Sequence, residues 1–162
     1  MKYAGIIKND IANGPGIRVS FWVQGCPHKC YNCQNPETWN FDGGKEFTNK
    51  TLQEIKKAIL ANGIQRNLSI LGGEPLCPEN QFLTALVIKE IKETYPSISI
   101  YLWTGYTIEE LTSLRKIQNH LDYILNNINV LIDGRYEDDK RDITLELRGS
   151  SNQRIFDFTK KI

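Results

Sequence analysis

Three cysteines fall on one short stretch, Cys26-Pro-His-Lys-Cys30-Tyr-Asn-Cys33. Thiolates are the ligands of iron–sulfur clusters and of zinc, so three on one compact loop point to a bound metal. The two metals ask for different completions. A structural zinc site closes with four ligands, and a fully ligated cubane also takes four. Three thiolates leave one iron of a cubane open, able to chelate a small molecule and pass an electron into it. Zinc would need a fourth ligand from His28, Cys77 or His120, and His28 is awkward because it lies inside the loop. Three unrelated buried cysteines would be a weaker account than either metal. No Ser/His/Asp arrangement suggests a side-chain general base.

The elements that must position this loop read as strands alternating with helices. Ile17–Val23 alternates and is rich in β-formers, so a strand leads into the first cysteine. Thr51-Leu-Gln-Glu54 reads as a capping box opening a helix, with Leu52, Ile55 and Ile59 on one face and Gly63 just past its end. Asn67–Leu71 is a short strand closed by Gly72-Gly73. A helix is expected over Glu79–Tyr95, with Leu83, Val87 and Ile91 four apart and Pro96 as its stop. Ile98–Trp103 reads as a strand, and Thr107-Ile-Glu-Glu110 as a second capping box opening a helix to about Ile117. Ile128–Ile132 and Thr144–Leu147 are expected strands, with a further one over Arg154–Phe158. The charged segment Gly134–Asp142 offers no good helix.

Such alternation predicts an α/β fold with a parallel sheet. On that frame the unusual segments all follow strands: the cysteine loop, Gly72-Gly73-Glu74-Pro75, Trp103-Thr-Gly-Tyr106, Asp133-Gly-Arg135-Tyr136 and Arg148-Gly-Ser-Ser-Asn152. The C-terminal strand edge holds the active site in parallel β/α barrels. A full eight-fold barrel needs roughly 250 residues, so an incomplete, partial barrel with a lateral mouth is expected from this chain of 162 residues.

Composition bounds the function. The length suits a single domain, expected over residues 1–162. With 40% hydrophobic and 24% charged residues the chain is ordinary for a soluble globular protein. A formal net charge of +1 provides no basic field for nucleic acid. Apolar runs such as Ala85–Ile88 are too short to span a bilayer, and Met1–Asp10 mixes Lys2, Lys8 and Asp10 into its apolar residues as no signal peptide does. A cytoplasmic location is expected, where thiols stay reduced and clustered cysteines mean metal rather than disulfides.

A C-x3-C-x2-C loop after a first strand, with Gly-Gly-Glu-Pro after the next, resembles the radical S-adenosylmethionine enzymes. Asn13-Gly-Pro-Gly-Ile-Arg18, Gln24-Gly25-Cys26 and Asn35…Thr38-Trp39 are similar to the activases of glycyl radical enzymes. Trp103-Thr-Gly-Tyr106, Asp133-Gly134 and Arg148-Gly-Ser-Ser-Asn-Gln153 narrow the resemblance to the activating proteins of anaerobic ribonucleoside-triphosphate reductase. It covers about Ile7 to Arg154. Longer activases, and those with an inserted ferredoxin-like domain, do not match.

The resemblance implies a radical-type partial barrel holding a 4Fe-4S cluster on Cys26, Cys30 and Cys33. An external one-electron donor such as flavodoxin would reduce it. S-adenosylmethionine would bind the open iron and be cleaved to methionine and a 5′-deoxyadenosyl radical. The radical would take a hydrogen atom from a glycine in the C-terminal loop of the reductase. The chemistry would be borne by the cofactors rather than by a catalytic side chain. By the same resemblance Asn32, Gln34, Gly72, Gly73, Glu74, Asp133 and Arg135 would contact S-adenosylmethionine. Gly72 and Gly73 would admit its amino group, with Glu74 assisting, and Asp133 and Arg135 would orient it. Asn13–Gly16 would lie near the cluster, facing the substrate peptide. Two positions depart from the pattern: Asn32 stands where an aromatic is common, with Tyr31 one place earlier, and Arg135 replaces a lysine. Arginine can still take a carboxylate bidentately. Trp39 and Trp103 read as wall residues, Cys77 as a bystander and His120 as structural. Arg148 and Asn152 could steer the loop, shape the cofactor pocket or cap the last strand. Two rivals stay open: a small radical enzyme making a deazaguanine precursor, and a non-catalytic zinc module.

Overall fold

The computed structural model describes residues 1–159; the last three residues of the expected single domain, 160–162, lie outside the described residues. Seven strands form one mixed, mostly parallel sheet in the order β3-β1-β2-β4-β5-β6-β7. Its centre is parallel: β2 (Arg18–Val23), β4 (Asn67–Gly72), β5 (Ile100–Trp103) and β6 (Val130–Asp133). The helices between them are α1 (Asn49–Ile59), α2 (Pro78–Thr94), α3 (Ile108–Leu114) and α4 (Asn119–Asn127). Antiparallel strands flank this centre, β1 (Lys2–Asp10) and β3 (Lys45–Glu46) on one side and β7 (Arg154–Asp157) on the other. The parallel α/β centre agrees with the sequence pattern. Among the described residues no helix is long and apolar enough to cross a membrane.

Strands buried on both faces need near-continuous apolar sequence. Val19, Phe21, Val23, Leu68, Ile70, Ile100, Leu102 and Leu131 are inaccessible to solvent. Ile55 and Ile59 of α1 join Val87, Ile88 and Ile91 of α2 in the same core. α2 begins with Pro78, whose fixed φ suits a first helical position.

Five sequence expectations change. The first helix starts one turn earlier than Thr51. Thr48 is its N-cap, and the Thr51 hydroxyl reaches back to accept the Thr48 N–H at 3.1 Å. The third helix does start at Thr107, whose hydroxyl accepts the Glu110 N–H at 3.2 Å, but it ends at Leu114. A fourth helix then buries Leu121, Ile124 and Leu125. Its N-cap is Gln118, a side chain with no capping preference, so no local signal announces it. Thr144–Leu147 is no strand. That segment is a turn, held by an isolated bridge between Arg141 and Ser150 and by the Trp103 indole donating to Leu147 O at 2.8 Å. The sheet also gains β1, absent from the expected elements, which covers the edge of β2.

The parallel registers pair Val23 with Gly72, Ile70 with Leu102, and Trp103 with Ile132. The loops that follow β2, β4, β5 and β6 therefore meet at one sheet edge. In open α/β sheets this C-terminal edge is where ligands bind.

Candidate functional site

The cysteine loop leaves β2 through a clamped base. Gly25 N donates to Thr38 O at 2.7 Å and Cys26 N to Trp39 O at 3.2 Å, so the outgoing and returning strands of the loop are bonded together. The buried Gln24 amide adds bonds to Glu37 O and Asn40 O. The turn after β4 grips the same base: Gly73 N donates to Val23 O, Glu74 N to Gly25 O, and the Asn80 amide to both Gly25 O and Glu74 O. This explains the glycines. A Cβ on Gly73 would stand 2.4 Å from Gly25 O and 3.0 Å from Thr38 O, and one on Gly72 would stand 2.7 Å from Val23 O. The Gly-Gly pair lets the cysteine loop and the β4 turn touch backbone to backbone. Protein backbone alone places a steric demand on Gly73.

Within the loop, Lys29 (φ 50°) and Asn32 (φ 55°) adopt left-handed backbone immediately before Cys30 and Cys33. Asparagine tolerates this region far better than lysine. Cys33 N closes a turn on Cys30 O, and Asn35 N donates to Cys33 Sγ at 3.4 Å. The three cysteines are half-buried and reduced, whereas Cys77 is buried behind the turn with its thiol donating to Glu74 O. Burial pushes the Cys26 thiol up to about 11, against backbone bonds from His28 and Lys29, with the Glu74 charge adding to the rise. Burial also raises Cys30, countered by the Tyr136 backbone. Thiols like these release protons as they take up metal.

Glu74 is fully buried, and its carboxylate accepts four hydrogen bonds. Oε2 takes the Leu76 N–H and the Thr104 hydroxyl, both at 2.8 Å. Oε1 takes the Gly105 N–H and His28 Nε2, both at 2.7 Å. A carboxylate only accepts, so His28 carries its proton on Nε2 here. Glu74 thus joins the ends of β4 and β5 to the cysteine loop, and its lone pairs are occupied by protein donors. Expected from the sequence to help hold an incoming ammonium, Glu74 here fastens the cysteine loop to the strand ends.

Beside the loop lies an open cavity of about 470 Å³. His28 and Cys30 line one side; Asp133, Arg135, Tyr136 and Asn152 line the other. Asp133 is fully buried and, like Glu74, is engaged. It accepts the Ile108 N–H at 2.9 Å, the Arg154 N–H at 3.0 Å and the Arg154 guanidinium at 2.7 Å. It ties α3 and β7 to the end of β6. Arg154 also grips Glu109 at 2.6 Å, and those bonds pull the Glu109 carboxyl down to about 2. Arg135 is exposed at the cavity and pairs with Glu110 at 2.9 Å. Asn152 donates to Arg135 O, and its Oδ1 is buried without a hydrogen-bond partner among the described residues. Asn32 and Gln34 are exposed on either side of Cys33, Asn32 donating to Asp138 at 3.1 Å.

The Arg148–Gln153 motif proves to be a turn wound on one side chain. Gln153 Oε1 accepts from Gly149 N and Ser150 N, while its amide donates to Gly134 O. It precedes β7 rather than following a strand, yet reaches the same edge because Arg154 pairs with Asp133. Arg148 caps this turn through Glu146 O and Gln153 O. Asn13–Gly16 is placed differently from expectation. It precedes β2, while the cysteines follow it, and six strand residues at ~3.3 Å each put about 20 Å between them. His120 lies in α4, edge-on to Phe82, and Trp39 is half-buried at the loop base.

Sequence reasoning passed over the role of His28, weighed only as a zinc ligand, and of Arg154, whose partner Asp133 is 21 residues away. Among the described residues no three Cys, His, Asp or Glu side chains converge on a single metal ion. Three half-buried thiols on one loop are a donor set that a cubane takes, one thiolate to each of three irons.

Comparison with known proteins spans nearly the whole chain. A family described as a 4Fe-4S single cluster domain matches residues 12–156. An anaerobic ribonucleoside-triphosphate reductase-activating protein of Pasteurella multocida is 38% identical over 161 residues, 99% of each chain. One from Enterobacteria phage T4 is 39% identical over 160 residues, 98% of this chain and 96% of the phage protein. One from Escherichia coli is 36% identical over 154 residues, 94% of this chain and 96% of its own.

Proposed function

The chain belongs to the family of anaerobic ribonucleoside-triphosphate reductase-activating proteins, and from that premise we propose that it generates a glycyl radical on such a reductase. The observation that carries this reading is the cysteine loop, clamped at its base and opening beside a cavity at the C-terminal sheet edge. Cys26, Cys30 and Cys33 would hold a 4Fe-4S cluster, which when bound would supply the electron for reductive cleavage of S-adenosylmethionine and so the radical chemistry directed at the reductase glycine.

The protein's share is orientation and shelter. Gly72 and Gly73 offer backbone at the rim of the site. Asn32 and Gln34 flank the third cysteine, where they contact the nucleoside end of S-adenosylmethionine. Arg135 takes its carboxylate by leaving Glu110, an exposed pair worth about 1 kcal/mol or less. Asn152 Oδ1, a buried acceptor without a partner among the described residues, receives a donor from the ligand. Glu74 and Asp133 act by holding strand ends and loops in place. We read the sheet as an incomplete barrel, whose open side admits the C-terminal glycine loop of the reductase. A one-electron donor such as flavodoxin reduces the protein, which works in the reducing cytoplasm.

The test combines reduced protein, S-adenosylmethionine and the cognate reductase, followed by electron paramagnetic resonance. A glycyl radical should appear on the reductase only when all three are present, and admitting air should then cleave the reductase near its C-terminus. Consumption of S-adenosylmethionine at full rate without the reductase, with no radical ever formed, would transfer the protein to the small-molecule enzymes.

A further inference from the structure

Three motifs that look unrelated along the chain meet at one side chain. His28 stands between the first two cysteines, yet its side chain is only 6% exposed and points away from solvent into the sheet edge. Its Nε2 donates to Glu74 Oε1 at 2.7 Å. Its ring lies edge-on to Tyr106, with centroids 4.8 Å apart. Gly105 leaves the room: a Cβ there would be 2.4 Å from His28 Cδ2 and 2.7 Å from Nε2. Gly105 has no positive φ, so its lack of a side chain answers to the histidine and not to a turn. Thr104 completes the socket by donating its hydroxyl to Glu74, and the Tyr106 N–H bonds back to that hydroxyl at 3.1 Å.

We propose that His28 is a positioning residue that plugs the cysteine loop into a socket built from Glu74, Gly105 and Tyr106, fixing Cys30 relative to Cys26 and the cavity. The base of the loop is held by backbone bonds at Gly25 and Cys26, and its far side by Asn32 on Asp138. Between them the Lys29 backbone is in a costly left-handed state. The plug is the buried side-chain anchor between these two attachments. Without it Cys30 could swing while Cys26 stayed in place. Side chains that orient metal ligands from behind commonly change affinity 10–100-fold when removed. The proposal rests on the cluster assignment above for its meaning, but not for its test.

The test uses His28→Ala, His28→Gln and Gly105→Ala in the anaerobically reconstituted protein. Three quantities are read: hydrogen exchange at residues 26–34, the spectrum of the reduced cluster with and without S-adenosylmethionine, and the affinity for S-adenosylmethionine. His28→Ala and Gly105→Ala should each speed exchange in the loop about tenfold and leave α1 unchanged. Both should alter the reduced-cluster spectrum at unchanged iron content and weaken S-adenosylmethionine binding about tenfold. His28→Gln, whose amide can still donate to Glu74, should recover most of the loss. In a His28→Ala background Gly105→Ala should cost nothing more, since the ring it displaces is gone. Unchanged exchange and spectrum in His28→Ala would overturn the proposal. So would faster exchange throughout the molecule, which would make the histidine a general stabiliser. Absence of a cluster, or a spectrum blind to S-adenosylmethionine in the unsubstituted protein, would sink the proposed function, and the exchange data would still decide the role of His28.

Discussion

Charged side chains are buried at both ends of the central strands, among them Arg18 at the N-terminal edge and Glu74 at the C-terminal edge. Arg18 is 1% exposed, and its partners are all neutral oxygens. Nε donates to the Ser69 hydroxyl at 2.7 Å, Nη2 to Leu68 O and Ser99 O, and Nη1 to Pro15 O. Its guanidinium lies 4.3 Å over the Tyr101 ring, and burial lowers it to about 10, leaving it cationic at neutral pH. Glu74 is satisfied by donors instead, and one of them rides on the cysteine loop. Arginine ties β2, β4 and β5 to one another, so its bonds are spent on the scaffold. Glutamate ties a scaffold to a loop that carries ligands. A buried charge costs free energy unless it is fully bonded, and both are. They differ in what their removal should disturb, stability in one case and geometry in the other.

The comparison breaks most visibly at the cysteines. Cys30→Ala should abolish binding of about four irons per chain, as three thiolates are needed to seat a cubane. Cys77→Ala, behind the turn, should leave the iron in place. Iron analysis after anaerobic reconstitution decides between them, and full loading of Cys30→Ala would remove the loop from the site. At the other edge, Arg18→Met should lose about 3 kcal/mol because several buried acceptors are left unpaired. For a chain of this size that is a drop of roughly 6–12 °C in Tm. Iron per folded molecule should be unchanged; a normal Tm, or iron lost at normal stability, would erase the contrast between the two edges.

Smaller effects sharpen it. Gly73→Val should displace the loop base and lower iron content along with S-adenosylmethionine binding, because its Cβ meets Gly25 O and Thr38 O. Loss of S-adenosylmethionine binding with full iron would restore the view that this glycine only makes room for ligand. In the metal-free chain, Cys26 should be alkylated slowly at neutral pH. Its rate should keep climbing as pH rises toward about 11, since the thiolate is the nucleophile and burial holds the thiol protonated. A plateau by pH 9, read by mass spectrometry of iodoacetamide adducts, would contradict the buried setting. The smallest change is Glu110→Gln. Freed from its partner, Arg135 should bind a ligand carboxylate up to about fivefold more tightly, the equivalent of the roughly 1 kcal/mol an exposed pair is worth. Weaker binding in a titration of S-adenosylmethionine would count against Arg135 as the carboxylate contact.

Local chemistry was legible along the chain because it depends on neighbours in sequence. Cysteine spacing singled out the loop after β2; apolar runs marked β2, β4, β5 and β6; Thr107 marked the start of α3. The Gly72-Gly73 turn was also visible, but not its reason, since Gly25 O and Thr38 O approach from more than 30 residues away. What folding decided was long-range. β1 owes its place to pairing with β2, and α4 to an apolar face with no cap to announce it. Thr144–Leu147 had strand-forming residues but found no strand partner, because β7 takes the edge of β6. Asn13-Gly-Pro-Gly16 went to the opposite edge from the cysteines, where Gly14 makes space for the Arg18 side chain. Carboxylates that sequence assigns to a ligand, Glu74 and Asp133, were claimed by donors from separate strands and helices. Sequence determines which groups can bond; only tertiary structure decides which of them are already taken, because a buried charge must find its partners wherever the chain brings them.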